Sequence, residues 1–397
     1  MISSVREHYN EQFSKEKYHS FLKALDNLHP GTLQFRVAET PVFVGKEFGR
    51  KIIEAGESII DVILHPDFIK KTEHAIPPEE RVPSERSFPQ MLCLDFGVCL
   101  DENGNPEPQL IEMQGFPTMY AFQAFFPDLL KKHFEIPENY SHYFNGLTTE
   151  TYLQLFKEIV LGSCNPEEVI LLEIKPREQK TLIDFLLTKD ALGIEPVCIS
   201  ELEAEGNFLY YKKEGKRIRI KRIYNRIIFD ELHAQRASLG EIVDLTQPFD
   251  VEWIPHPNWF YRISKYSLPF IRHPYVPETV FLSDVKQLPG DLSQYVLKPL
   301  FSFAGQGVKI DLTEEDIRSV EHPEHYILQK KVHYADIIAT PDGYAKTEIR
   351  MMYLWKEGES RPKLVTNLSR LSKGKMIGVR YNADKEWVGG TVAFFEQ

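Results

Sequence analysis

Asp95 and Glu112 lie on either side of the segment Asp101-Glu102-Asn103-Gly104-Asn105, and Asn-Gly between two apolar runs is a strong hairpin signal. With the turn centred between Asn103 and Gly104, Asp95 in the first strand stands directly opposite Glu112 in the second. Side chains so opposed have Cβ atoms about 4.5–5.5 Å apart, and like charges there destabilise a sheet unless something neutralises them. A divalent cation would do so. Gln114, two residues beyond Glu112, shares its strand face and adds a carbonyl oxygen. Magnesium takes oxygen ligands and binds through one or two carboxylates plus substrate phosphates, so Asp95, Glu112 and Gln114 are the candidate metal ligands. Pro106 and Pro108 interrupt the second strand, and a slip of one residue would turn Glu112 to the other face, leaving an ordinary solvated hairpin.

A second group follows later in the chain. Tyr295-Val296-Leu297-Lys298 reads as a strand ending in lysine, Pro299–Gly307 as a flexible loop, and Val308-Lys309-Ile310 as a strand again. A loop between strands, carrying Ser302, Ala304, Gly305, Gln306 and Gly307, can fold over a polyphosphate with its backbone N–H groups while Lys298 reaches in from below. Taken alone it is equally a glycine turn beside a solvated lysine. Tyr326–Val332 runs from apolar to polar, and the backbone around Gln329, Lys330 and Val332 suits a hinge that pairs with an adenine edge. Lys265 lies upstream in Tyr261–Tyr266, Glu348-Ile349-Arg350 alternates on a strand, and Asn367-Leu368-Ser369-Arg370 follows.

These residues need scaffolding, and the hydrophobic pattern divides the chain into four stretches. Residues 1–84 carry helical periodicity near Phe13–Leu25 and Lys46–Leu64, followed by the Pro-rich segment Ile76–Pro89, which reads as a surface loop. Residues 85–150 hold the hairpin. Residues 165–250 begin with Val169–Ile174, a helix over Thr181–Ala191 and a strand at Pro196–Ile199, a βαβ signature that predicts a small α/β domain with a largely parallel sheet. A hairpin around Lys213–Lys216 and a strand over Ile223–Phe229 follow. Residues 255–397 contain the lysines, the loop and the arginine strands. The fold class expected is α/β (α+β).

The 397 residues include 58 acidic and 47 basic side chains, a net charge of −11, with 42% hydrophobic residues. That describes a cored globular protein and argues against a surface built for nucleic acid. The N-terminus lacks the basic and apolar regions of a signal peptide and no stretch approaches a membrane span, so a cytoplasmic protein is expected. The four cysteines form no CxxC pair, and His322 and His325 lack further ligands nearby. P-loop, GxGxxG, HExxH and GxSxG patterns are all missing.

In this order, Ser264-Lys265, His273-Pro274-Tyr275, Tyr295-Val296-Leu297-Lys298-Pro299, the loop to Gly307-Val308, Tyr326-Ile327-Leu328-Gln329 and Asn367-Leu368-Ser369-Arg370 resemble the ATP-grasp superfamily, in particular glutathionylspermidine synthetase and its relatives. The likeness covers residues 85–115 and 255–397, with a weaker echo over 165–250, where it implies a pre-ATP-grasp-like domain. It implies a circularly permuted architecture, since a conventional ATP-grasp domain has its metal ligands after the arginine strands and here the matching pair lies upstream at Asp95 to Gln114. It further implies an ATP- and magnesium-dependent ligase that joins a small-molecule carboxylate to an amine through an acylphosphate. Lys265 and Lys298 would hold phosphates, Arg350 and Arg370 the acylphosphate, and Arg36 and Arg226 the accepting substrate. A small-molecule kinase and a nucleotide-binding protein without turnover are the alternatives. Two positions depart from the family pattern: Gln114 replaces an asparagine, which keeps an oxygen ligand, and Cys93 stands where an arginine precedes the acid by two, which removes a phosphate contact.

Overall fold

A computed structural model describes residues 3–301, 307–374, 377, 382 and 384–397 of the chain. Near its start α1 (Lys15–Asp26) is capped by the Ser14 hydroxyl, which accepts from the Lys17 N–H at 3.2 Å, and buries Tyr18, Phe21 and Leu25 on one face. Helix α2 (Lys46–Leu64) buries Phe48, Ile52, Ala55, Ile59, Ile60 and Ile63, the stripe that its periodicity predicts. The segment before the hairpin is less of a surface loop than its prolines suggest. Ile76 and Val82 are buried, and Glu85 binds the buried Arg262.

The hairpin consists of β1 (Met91–Leu100) and β2 (Pro106–Gln114). Leu92, Leu94, Phe96 and Val98 share a core with α2, so Cys93, Asp95 and Gly97 face the other way. Pro106 and Pro108 are tolerated because β2 is an edge strand with a ladder on one side only. Helices α3 (Phe122–His133) and α4 (Thr149–Leu161) lead into β3 (Val169–Glu173), α5 (Leu182–Leu192), β4 (Glu195–Cys198), β5 (Arg222–Asn225), α6 (Phe229–Leu239) and β6 (Glu252–Ile254). These four strands form the expected parallel sheet, in the order β6-β5-β3-β4. Val169–Leu172 of β3 form the buried apolar run of a covered parallel strand, and Glu173 at its end is buried too.

One expectation fails locally. The strand over Ile223–Phe229 stops at Asn225, whose side chain bonds both the N–H and the C=O of Ile227 at 3.2 Å. That side-chain turn ends the strand and lets Phe229 begin a helix.

Next come β7 (Thr279–Phe281), β8 (Tyr295–Pro299) and β9 (Tyr326–Lys330), a small antiparallel sheet with β9 in the middle. Expected as a strand, Val308–Ile310 makes a single bridge, Lys309 to Leu297. Finally β10 (Gly343–Leu354), β11 (Lys363–Ser372) and β12 (Gly389–Thr391) join the early hairpin in one antiparallel sheet of order β12-β11-β10-β1-β2. The hairpin is thus completed by strands more than 200 residues downstream, with Glu348 opposite Gly97 and Leu354 opposite Met91.

Candidate functional site

Asp95 does pair with Glu112, by a route that the turn alone does not supply. Nearest the turn, Leu100 pairs with Pro106 and Phe96 with Leu110, a register that would place Ile111 opposite Asp95. Ile111 is instead an extra residue, a bulge, and beyond it Asp95–Glu112 and Cys93–Gln114 are in register. The bulge re-aims Glu112 to the face of Asp95.

On that face the central strands carry a row of charges. Arg350 of β10, the register partner of Asp95, holds both its oxygens, Nε to Oδ1 at 2.6 Å and Nη2 to Oδ2 at 2.5 Å. Arg370 of β11 donates to Asp95 Oδ2 at 3.1 Å and pairs with Glu348, its own register partner. Tyr334 donates its hydroxyl to Glu348 Oε2 at 2.7 Å. Gly97 makes this possible, because a Cβ there would stand 2.7 Å from the Tyr334 ring. Burial works against ionising Asp95, yet the charge and the two bonds of Arg350, with Arg370, hold its carboxyl below the usual range. Burial pushes Glu348 up, against the pull of Arg370.

Lys298, at the end of β8, crosses from the small sheet to donate to the carbonyl of Ile111, the bulge residue, at 3.3 Å. Burial lowers its ammonium to about 8, with Glu112 pulling it up and Lys265 pushing it down. Lys265 is buried and also depressed by burial, with Glu112 and Asp230 as its negative neighbours. Glu112 is thus shared by both lysines, and Arg350 lies 3.8 Å from its Oε1. Gln114 donates to the same Oε1 at 2.7 Å and leaves its own Oε1 buried without a partner among the described residues.

The remaining predicted contacts are placed as follows. Gly307 has φ +72° and sits where a Cβ would stand 2.8 Å from Pro299, a position that favours glycine. Ser302, Ala304, Gly305 and Gln306 lie outside the described residues. Gln329 is turned inward, donating to Thr279 Oγ1 at 3.0 Å, with its Oε1 buried and without a partner among the described residues. The Lys330 N–H is taken by the Glu278 carbonyl at 2.8 Å, and Val332 follows the end of β9. Arg36 pairs with Glu39 and donates to the Val388 carbonyl at 3.0 Å, beside β12. Arg226 follows β5 and is partly buried. The basic hairpin around Lys212–Arg222 is paired with acids, Lys212 and Arg217 with Glu203 and Arg219 with Asp250. A groove of about 1140 Å³ between α2, the start of β11 and the C-terminal residues collects none of these groups.

Of the row, Tyr334 is not among the residues that the sequence singles out, and Glu348 is named there without a role. Glu348 alternates with Arg350 and so shares its face, a signal that was available; Tyr334 arrives from outside the regular strands, and nothing local marks it. Among the described residues no three His, Cys, Asp or Glu side chains group as a metal site, and no helix is long and apolar enough to cross a membrane.

No family model and no curated protein matches the sequence. Among solved structures, the apo form of a glutathione synthetase-like effector from Globodera pallida is similar, with a TM-score of 0.59, over 97% of this chain and 98% of that one, at 10% identity. The fold is glutathione synthetase-like. At that identity the likeness extends to the backbone architecture, which here places an early hairpin, a small antiparallel sheet and the late arginine strands around one set of charges.

Proposed function

We propose that the protein is an ATP- and magnesium-dependent ligase that joins a carboxylate to an amine through an acylphosphate, on a circularly permuted ATP-grasp framework. The observation that carries this is Lys298 reaching from the small sheet to the bulge beside Glu112, at the edge of the Asp95–Arg350–Arg370–Glu348 row. Four cations, Lys265, Lys298, Arg350 and Arg370, face three carboxylates there, which suits a polyanion that brings its own metal. Glu112 and the Gln114 oxygen, which has no partner among the described residues, would hold magnesium, which when bound supplies positive charge to phosphate oxygens. Asp95, with both oxygens on arginine, anchors Arg350 and Arg370. In the reaction, a substrate carboxylate oxygen attacks the γ-phosphorus as the bond to ADP breaks, and the amine then attacks the acyl carbon as phosphate leaves. The lysines hold phosphate oxygens and the arginines the acylphosphate, so the protein contributes charge and position and needs no covalent residue.

The test is release of ADP and free phosphate with a panel of acid and amine pairs, lost in Lys298→Ala. Full turnover in Lys298→Ala would sink the assignment, and a phosphorylated product without free phosphate would make the protein a kinase. A second reading, nucleotide binding without turnover, is favoured by Cys93, buried and neutral beside Asp95, and by the arginine grip on Asp95 itself. It predicts thermal stabilisation by Mg-ATP with no product on any panel.

A further inference from the structure

Helix α2 packs on the side of the main sheet away from the charged row, sharing a core with Leu92, Leu94 and Phe96, and its outer face carries an ordered set of charges. Lys46, Arg50, Glu54 and Asp61 are exposed, with Ile53 and Glu57 half-buried among them. Steps of three and four residues put all six on one stripe, the cations first and the acids after. That order does not serve the helix. The macrodipole favours acids near the N-terminus and cations near the C-terminus, and Arg50 ahead of Glu54, paired at 3.2 Å, is the weaker orientation of such a pair. Glu396 accepts the Lys46 backbone N–H at 3.4 Å, while the Lys46 ammonium has no partner among the described residues. At the far end Arg361 serves both Glu57 and Asp61, one guanidinium for two carboxylates.

The groove of about 1140 Å³ runs beside this stripe, lined by apolar Ile53, Phe144, Leu364 and Phe395 as well as by charges. Apolar surface with a polar rim is the composition of an interface. A uniformly acidic or basic partner would be repelled by one half of the stripe, whereas the stripe complements its own reverse. In a two-fold contact the same patch meets itself. With the axis crossing antiparallel α2 helices between Ile53 and Glu54, Lys46 of one copy stands level with Asp61 of the other and Arg50 with Glu57, and symmetry repeats both pairs. Glu54 stands level with Ile53, so no like charges of the stripe meet. At 1.5 Å per residue the stretch from Lys46 to Asp61 is about 22 Å long. A contact of that size with its charges near water is weak and sensitive to salt.

We propose that a second copy of this chain docks on the groove face of α2, in an antiparallel two-fold dimer held by Lys46–Asp61 and Arg50–Glu57 pairs between the copies. The dimer does not depend on the chemistry of the charged row, which lies across the sheet. The test is sedimentation equilibrium of the full-length protein at about 50 and about 500 mM NaCl. A monomer–dimer equilibrium with a micromolar Kd at low salt, weakened at least tenfold at high salt, is the expected result. Lys46→Glu/Arg50→Glu makes the stripe acidic throughout, and Glu57→Lys/Asp61→Lys makes both ends basic. Each variant alone should be monomeric, and an equimolar mixture should form a heterodimer, because every reversed charge then meets its opposite. The Glu57 change also strips Arg361 of its acids, so a second pair of variants leaves Glu57 in place: Lys46→Glu alone should weaken the dimer at least tenfold, and Lys46→Glu/Asp61→Lys should restore it. A wild type that stays monomeric at every concentration in low salt would overturn the proposal and leave the groove to a different partner. A dimer that survives Lys46→Glu/Arg50→Glu would place the contact on another surface and overturn it as well. So would failure of Asp61→Lys to rescue Lys46→Glu when both proteins melt cooperatively.

Discussion

Arg350 grips Asp95 across β10 and β1 with two parallel bonds, 2.6 and 2.5 Å, at the centre of the main sheet where Asp95 is fully buried. The acid that the turn geometry offers to a metal is thereby the acid that orients two arginines, since Arg370 shares its Oδ2. A carboxylate so placed is costly alone and stable in company.

Removing one partner should therefore be far worse than removing the pair. Arg350→Leu is expected to cost about 3–5 kcal/mol in urea unfolding, because it strands a buried carboxylate, while adding Asp95→Asn should recover part of that loss. A cost below about 1 kcal/mol would mean that Arg370 alone neutralises Asp95.

Lys298 gives a pH signature. Its ammonium falls to about 8 in the fold against an ordinary value near 10.5, so between these pH values the unfolded chain binds more protons. Stability should rise with pH across that window, the penalty being fully present below about pH 8 and gone above the unfolded value. In Lys298→Met the rise should shrink in melts taken between pH 7 and 10.5, the remainder belonging to Lys265, which burial also depresses. Nucleotide affinity of the wild type should fall above pH 8 as the charge is lost, whereas an unchanged affinity would remove Lys298 from the phosphate site.

Glu112 is where the proposed magnesium site can be tested apart from the arginine lattice. Glu112→Gln keeps the shape and leaves Asp95 with both arginines, so the melting temperature without ligand should move little. The magnesium concentration needed for Mg-ATP stabilisation should rise by at least the ~10–100-fold typical of losing an outer-shell partner. Equal magnesium dependence in the two proteins would place the metal elsewhere.

Gly97 tests the approach of Tyr334. Gly97→Ala puts a methyl 2.7 Å from the ring and should cost about 1–3 kcal/mol by overpacking, while moving the hydroxyl off Glu348. Tyr334→Ala in the same background should relieve most of that cost, which chemical denaturation of the double variant would show.

Much of this was legible in the chain. Period-3.6 stripes gave α1 and α2, and the βαβ run gave the parallel sheet, because each element's burial is written in its own residues. Asn-Gly marked the hairpin, and the types and order of Asp95, Glu112, Lys298, Arg350 and Arg370 marked them as candidates for one site. Their arrangement was not legible, because it depends on pairings between segments far apart in sequence. Only the folded sheet sets Arg350 against Asp95, and only the Ile111 bulge returns Glu112 to that face after a turn whose register would have sent it away. The same holds for Arg226: its sequence neighbours describe a strand end, and its place over the Phe185 ring emerges only where β3, β5 and α5 meet. Local patterns decide which face of an element is apolar, since that is a property of neighbours in sequence. Which charges meet is decided by strand order and register, to which hundreds of residues contribute.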